Sequence, residues 1–327
     1  MSSDLAATPP LHPAASDAGR RARLTGYALA LAAGAMWGTT GMFSELSRAL
    51  GVEITAIGFW RVLLATLGFL VYAAFRPSIF RIDRKGLLLT MGLGGVLVAL
   101  FEVAFQFGFQ GLGVAATVAC LYTAPIMITF LAAPLLGERV TGVRVALAVL
   151  AAAGVALTVF GAHDASLGRN LGIGLLGGFG AAVSYAGTTM LARYTVPRYG
   201  AERVLFLEIA GGTLVLAAVL PLVGASPFAE GWTPAWMAEP RAWLYVVLLG
   251  IVTVVLANFA FFGAARRIDA APTAVGASCE PVVGALLAWA VLGQGLSALG
   301  WLGLAMVVAG VGGGYLREAD HTESGHA

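Results

Sequence analysis

A stretch of sixteen residues, Thr123 to Glu138, recurs further along the chain as Cys279 to Gln294, and no other feature restricts the possible folds as much. At a constant offset of 156, Pro125 falls on Pro281, Leu131-Ala132 on Leu287-Ala288, and Leu136-Gly137 on Leu292-Gly293. Over residues 94–155 the same offset gives 16 identities in 62 positions, where a chain this rich in Ala, Leu, Gly and Val would give roughly six by accident. Nearer the N-terminus the offset becomes 149: Gly38-Thr39-Thr40 falls on Gly187-Thr188-Thr189, Gly51 on Gly200 and Glu53 on Glu202. The difference lies in one connection, residues 225–241, which is seven residues longer in the second copy. The chain is a duplication, so what one half builds the other must build as well.

What each half can build is set by its apolar content. With 59% hydrophobic and 11% charged residues and a mean hydropathy of +0.87, the 327 residues carry more apolar surface than one water-soluble core could hide. Apolar runs long enough for a bilayer core of roughly 30 Å lie near 26–47, 54–75, 86–108, 113–136 and 142–161, and again near 171–192, 203–223, 242–264, 270–292 and 298–316. We number these spans 1 to 10. Residues 1–24, rich in Ala, Pro, Ser and Asp, read as a disordered cytoplasmic tail. Residues 25–161 and 168–316 form the two five-span repeats, and 317–327 a second cytoplasmic tail. Because Gly38-Thr39-Thr40 recurs in span 6, span 1 belongs to the fold and is not a cleaved leader. In the longer outer connection, Phe228, Trp232, Pro234 and Trp236 are expected at the membrane interface.

Five is an odd number. The second repeat therefore enters the bilayer from the side opposite to the first, and the two are related by a pseudo-two-fold axis in the membrane plane. The expected fold is an all-α polytopic membrane protein of ten transmembrane helices, arranged as two inverted five-helix repeats around a central cavity. Inverted repeats of this kind build secondary transporters, with the substrate near the midplane at the repeat interface.

Ionisable groups inside spans are costly and mark function by default; here they are Arg61, Glu102, Glu208 and Glu280. Glu280 is the most central and adjoins Pro281, so it could exchange a proton as the cavity alternates. Glu102 falls on Asn258 in the repeat, which suggests that both face the shared axis; a carboxylate near the outer headgroups is the plainer reading of Glu102. Arg61 could bind a substrate carboxylate, or be tied to carbonyls or to Glu45. Trp37 and Thr40, Gln106, Tyr122, and Tyr185 and Thr188 complete the candidate lining; the members of each pair are three apart and share a helix face, although ordinary packing explains an aromatic side chain equally well. Pro125 and Pro281 each free a backbone carbonyl one turn earlier and kink spans 4 and 9.

Other chemistries find no support in the sequence. The four histidines, His12, His163, His321 and His326, lie outside the spans, so neither a buried metal site nor histidine catalysis is expected. No Walker, Gly-x-Ser-x-Gly or His-Glu-x-x-His motif occurs, and neither an enzyme nor a cofactor is expected. The basic residues act as topology signals and imply no nucleic acid.

Trp37-Gly38-Thr39, Phe59-Trp60-Arg61, the stretch from Pro125 to Leu136-Gly137-Glu138, and Glu280-Pro281 to Leu292-Gly293 resemble the EamA repeat of the drug/metabolite transporter superfamily. The resemblance covers both repeats, roughly 25–316. It implies a basket of spans 1 to 4 and 6 to 9 supported by spans 5 and 10, in a bacterial inner (plasma) membrane. It further implies export of small metabolites, with amino acids, aromatic and others, as the substrates and protons as a possible partner. Gln294 departs from the pattern where the first repeat has Glu138. Exporters of drugs or other metabolites are the alternative within the superfamily, and a channel-like or structural membrane protein is the alternative outside it.

Basic residues orient the chain. With the N-terminus cytoplasmic, inner segments hold 15 of them and outer loops only Arg48, Arg169 and Arg241, Arg61 being inside a span; this is the positive-inside bias. Reporter fusions at Ala327 are expected to be active only for a cytoplasmic location. Activity confined to the outer side would reverse the assignment.

Overall fold

The computed structural model describes residues 17–128, 130, 142–163, 170–222 and 235–324. Among these residues the chain forms ten helical rods. Six are long and apolar enough to cross a membrane: Ile54–Ala74, Arg84–Leu112, Leu171–Tyr199, Ala201–Leu222, Pro240–Ala265 and Pro272–Leu292, which are spans 2, 3, 6, 7, 8 and 9. Shorter apolar helices Val114–Ile128, Val145–Gly161 and Ala298–Gly313 belong to spans 4, 5 and 10. Span 1 is made of Asp17–Gly38 and Thr40–Ala49, separated at Thr39. The described strand structure is one antiparallel pairing, Ala162 with Leu296 and His163 with Gly295, which clips the ends of spans 5 and 9 together.

Packing between rods follows the pseudo-two-fold. Exchanging span n with span n+5 maps the pairs 3·6, 3·7 and 4·6 onto 8·1, 8·2 and 9·1, and it maps 2·7, 4·9 and 5·10 onto themselves; all of these pairs are in contact. The local chain geometry repeats as well. Gly51 at φ +85° ends span 1 and its mate Gly200 at φ +83° ends span 6, a left-handed conformation that only glycine adopts without strain. Span 4 is interrupted at Tyr122-Thr123 and span 9 at the mated Ser278-Cys279, each break two residues before its proline. Pro125 and Pro281 offer no N–H to the carbonyls of Leu121 and Ala277, so the helix ladder opens there. Spans 3 and 8 each contain a π-helical turn, Leu88–Gly94 and Ile251–Leu256, meeting at the mated positions Gly94 and Gly250.

Small residues let the rods approach closely where side-chain volume would hold them apart. Spans 3 and 6 touch through Gly108, Gly111, Gly174 and Gly177; a Cβ on Gly177 would lie 2.3 Å from the Gly108 nitrogen. Spans 5 and 10 cross at Gly154 and Gly303, where a Cβ on Gly303 would lie 2.5 Å from the Gly154 oxygen. Buried and half-buried threonines are satisfied inside their own helices: Thr66, Thr90 and Thr253 donate to Val62, Gly86 and Leu249 carbonyls at 2.8, 2.8 and 2.6 Å.

Two expectations need correction. Helix begins at Asp17, so residues 17–24 extend span 1 instead of forming a disordered tail. Trp236 is only 5% exposed; it is buried against Trp60 and Trp243, at ring separations of 6.3 and 5.3 Å, because the end of span 8 folds it inward away from the lipid interface. Phe228, Trp232 and Pro234, residues 131–138 of the duplicated stretch, and residues 1–16 lie outside the described residues.

Close glycine contacts should dominate the response to added volume. Gly177→Ala is expected to lower stability by about 1–3 kcal/mol through overpacking, whereas Gly312→Ala, with nothing within 4 Å of its added Cβ, should cost nothing. Thermal unfolding in detergent measures both, and equal melting temperatures would contradict the packing.

Candidate functional site

Arg61, Glu102, Glu208 and Glu280, from spans 2, 3, 7 and 9, all line one cavity of about 400 Å³. The repeat interface brings them together. The breaks at 122–123 and 278–279 put Leu121, Tyr122, Ala277 and Ser278 on the cavity wall, so the carbonyls released by the two prolines lie beside a space that water can enter, the condition under which irregular backbone is tolerated at membrane depth. Trp37 and Thr40 line it from span 1, Tyr185 and Thr188 from span 6, and Asn258 from span 8. Asn258 donates from Nδ2 to the Val254 carbonyl at 2.7 Å, one turn back in its own helix.

Among the described residues the cavity wall runs out toward one set of helix ends. It continues from Glu102 and Glu280 through Val196, Ala201, Phe262 and Ala274 to the helix ends that carry Arg198, Arg203 and Arg266. There Glu202 binds Arg266 and accepts a 2.6 Å bond from Tyr72, tying spans 2, 7 and 8 together. Toward the other face the space is filled. Gly38 abuts Val283, Gly41 abuts Val114, and the Val114 N–H donates to Gln294 Oε1 at 3.0 Å. Phe105, Phe109, Val118 and Leu121 pack over that end, and Trp60 with Trp243, rings 5.0 Å apart, closes it from the side of spans 2 and 8.

Charge in the cavity is unevenly matched. Arg61, 6% exposed, reaches both Glu102 oxygens from Nη1 at 2.8 and 3.1 Å, and its Nε donates to Thr253 Oγ1 at 3.4 Å. The suggested tie of Arg61 to Glu45 is therefore replaced: Glu45 binds Arg48 at 2.6 Å, one turn along the same helix. Glu102, 4% exposed, is no headgroup carboxylate, because spans 2 and 7 cover it. Glu280 accepts from Tyr122 Oη at 3.1 Å, joining the two broken spans across the axis. Three acids thus face one base, and that base is engaged.

Gln106 is the expected lining residue that the structure places elsewhere. It is buried with its Nε2 donating to Ser44 Oγ at 3.2 Å. One turn beyond Glu102, span 1 closes onto span 3, and Phe105 takes the wall position instead. Conversely, Glu208 was recognisable as an ionisable group inside a span, yet its facing was not, since neither its mate nor its neighbours are polar.

The model of the EamA-like transporter family matches residues 24–160 and 172–313. Two proteins of Bacillus subtilis (strain 168) are similar over most of their length. The uncharacterized transporter YxxF is 24% identical over 278 residues, 84% of this chain and 85% of that protein. The uncharacterized transporter YwfM is 26% identical over 285 residues, 86% and 90% of the two chains. A solved crystal structure shares the fold, with a TM-score of 0.62 and 20% identity, covering 89% of this chain and 95% of that one.

The buried ion pair sets a clear stability test. Arg61→Met alone leaves Glu102 uncompensated and should destabilise the protein by about 3–5 kcal/mol, whereas the double change with Glu102→Leu should recover most of the loss. Thermal unfolding of the two variants checks this, and a double variant no better than the single one would mean that the pair does not act as a unit.

Proposed function

The chain belongs to the EamA-like transporter family, and from that premise we propose that it is a secondary transporter exporting small metabolites, amino acids foremost, by alternating access of its two inverted repeats. The observation that carries this reading is the one-sided cavity between the repeats, polar at its centre and closed at one end by contacts small enough to be remade. Its volume of about 400 Å³ is at the lower end of the 300–1,000 Å³ typical of small-molecule sites, which suits a single metabolite and excludes peptides. Trp37, Phe101, Tyr185 and Phe261 offer aromatic walls to an apolar side chain, and Glu280 offers an acceptor to an ammonium. Arg61 is held by Glu102, so a substrate carboxylate would meet the amide N–H groups at the start of the helix Glu280–Leu292, while the opened carbonyls suit the ammonium. Amine recognition therefore leads the binding.

With the basic face taken as cytoplasmic, the cavity reads as inward-open. Export then consists of loading from that face, rocking of one repeat against the other, and release past Gln294 and Val114. Protons are the proposed coupling partner, through Glu280.

Reconstituted vesicles test the reading with labelled tryptophan and phenylalanine. Counterflow should show stimulation by substrate on the opposite side, which a channel cannot give. Trp37→Ala is expected to lower uptake about tenfold, the effect of some 1.4 kcal/mol of lost contact, at unchanged expression. Glu280→Gln should remove the pH dependence of turnover while leaving binding largely intact. Wild-type transport independent of pH would remove Glu280 from coupling, and absence of counterflow would remove the carrier mechanism.

A further inference from the structure

Glu208 stands apart from the other two cavity acids. It lies in span 7, is 6% exposed, and its Oε1 is buried with no hydrogen-bond partner among the described residues. Glu102 has Arg61 and Glu280 has Tyr122. The hydroxyl groups on adjacent turns of spans 7 and 3 are spent on other partners: Thr213 Oγ1 bonds the Ile209 carbonyl at 3.1 Å and meets Thr66 Oγ1 at 2.9 Å, and Thr90 donates to Gly86. The charged or titratable groups sharing its cavity are Arg61 on span 2, Glu102 on span 3, Tyr122 on span 4, Tyr185 on span 6 and Glu280 on span 9; span 8 supplies Thr253 and Asn258 only. On its own helix Glu202 is bound to Arg266 and Tyr72.

The site is also shaped for a carboxyl group. Gly94, the last residue of the π-helical turn Leu88–Gly94, lies against Glu208: a Cβ there would come within 2.5 Å of Glu208 Cγ and 3.1 Å of Oε1. The π-helical turn therefore ends where the carboxyl group needs room, an arrangement common at functional sites. A carboxylate kept unpaired in a membrane interior costs several kcal/mol, so it contributes nothing to holding the rods together.

We propose that Glu208 is a binding site for a mobile positive charge, either a proton or the ammonium of the transported solute. In the first case the carboxylate takes up one proton and becomes the neutral acid; in the second it pairs with an ammonium that enters from the basic face. The proposal deepens the transporter reading by giving the cavity a second cation position beside Glu280. Its test needs no transport, so a failed vesicle assay and a failed binding assay are distinguishable.

The full chain in lipid nanodiscs is titrated across roughly pH 4 to 9, a range spanning ordinary and displaced carboxyl groups, with infrared difference spectra reading the protonated-carboxyl C=O stretch. The same spectra are taken with phenethylamine added. Glu208→Gln should remove one titrating carboxyl band that Glu280→Gln retains, which identifies a proton site. Loss of that band on adding phenethylamine to the wild type, absent in Glu208→Gln, identifies an ammonium site. Glu208→Leu should melt at or above the wild-type temperature. Spectra and phenethylamine response unchanged in Glu208→Gln, or a Glu208→Leu protein that is less stable or fails to fold, overturn the proposal and make the carboxyl group structural.

Discussion

A bilayer offers no partner to a freed backbone carbonyl or a lone charge, and the centre of this molecule is organised by that constraint. Two prolines open the helix ladders of spans 4 and 9, and four ionisable side chains line the cavity beside those breaks. Neither could persist against lipid. The ten rods close around them so that the irregular backbone faces a cavity, Arg61 and Glu102 satisfy each other, and Tyr122 bridges the broken spans to Glu280. The tight glycine seams between spans 3 and 6 and between spans 5 and 10 belong to the same solution, because they bring the walls near enough to enclose so small a space.

The repeat gives the backbone a symmetry that the chemistry does not keep. Glu280 falls on Ala124, Glu102 on Asn258, and Arg61, at the shorter offset, on Ala210. Exchanging the repeats reproduces the rods and their contacts but puts Glu280 and Arg61 where the partner copy is apolar and Glu102 where it is uncharged. The two repeats are therefore alike in backbone and different in electrostatics, and the side chains at the centre polarise a nearly symmetric fold.

Much of this was legible because it rests on spacing. An odd span number fixes inversion, a constant offset pairs Gly51 with Gly200 and Pro125 with Pro281, and the structure shows the paired turns and breaks. Side-chain facing between distant spans was less legible. Arg61 and Glu102 are 41 residues apart with a loop between them, and their meeting depends on the relative rotation of spans 2 and 3, for which sequence carries no signal beyond the presence of two opposite charges. Gln106 and Glu102 are one turn apart and nearly share a face, so no periodicity separates the one against span 1 from the one on the cavity wall. Trp236 resembles an interfacial anchor in sequence and is a buried one because two other tryptophans wait beneath it.

The closed end of the cavity carries a consequence of its own. Its cross-span hydrogen bonds among the described residues, from the Val114 amide to the Gln294 side chain and from Gln106 to Ser44, join neutral groups, and the surrounding contacts are methyl groups against glycines and rings against rings. These contacts carry no formal charge, so salt has little to screen in them. Their strength rests on dispersion and close packing, so volume added at Gly38 or Gly41 would disturb this end more than a change of salt.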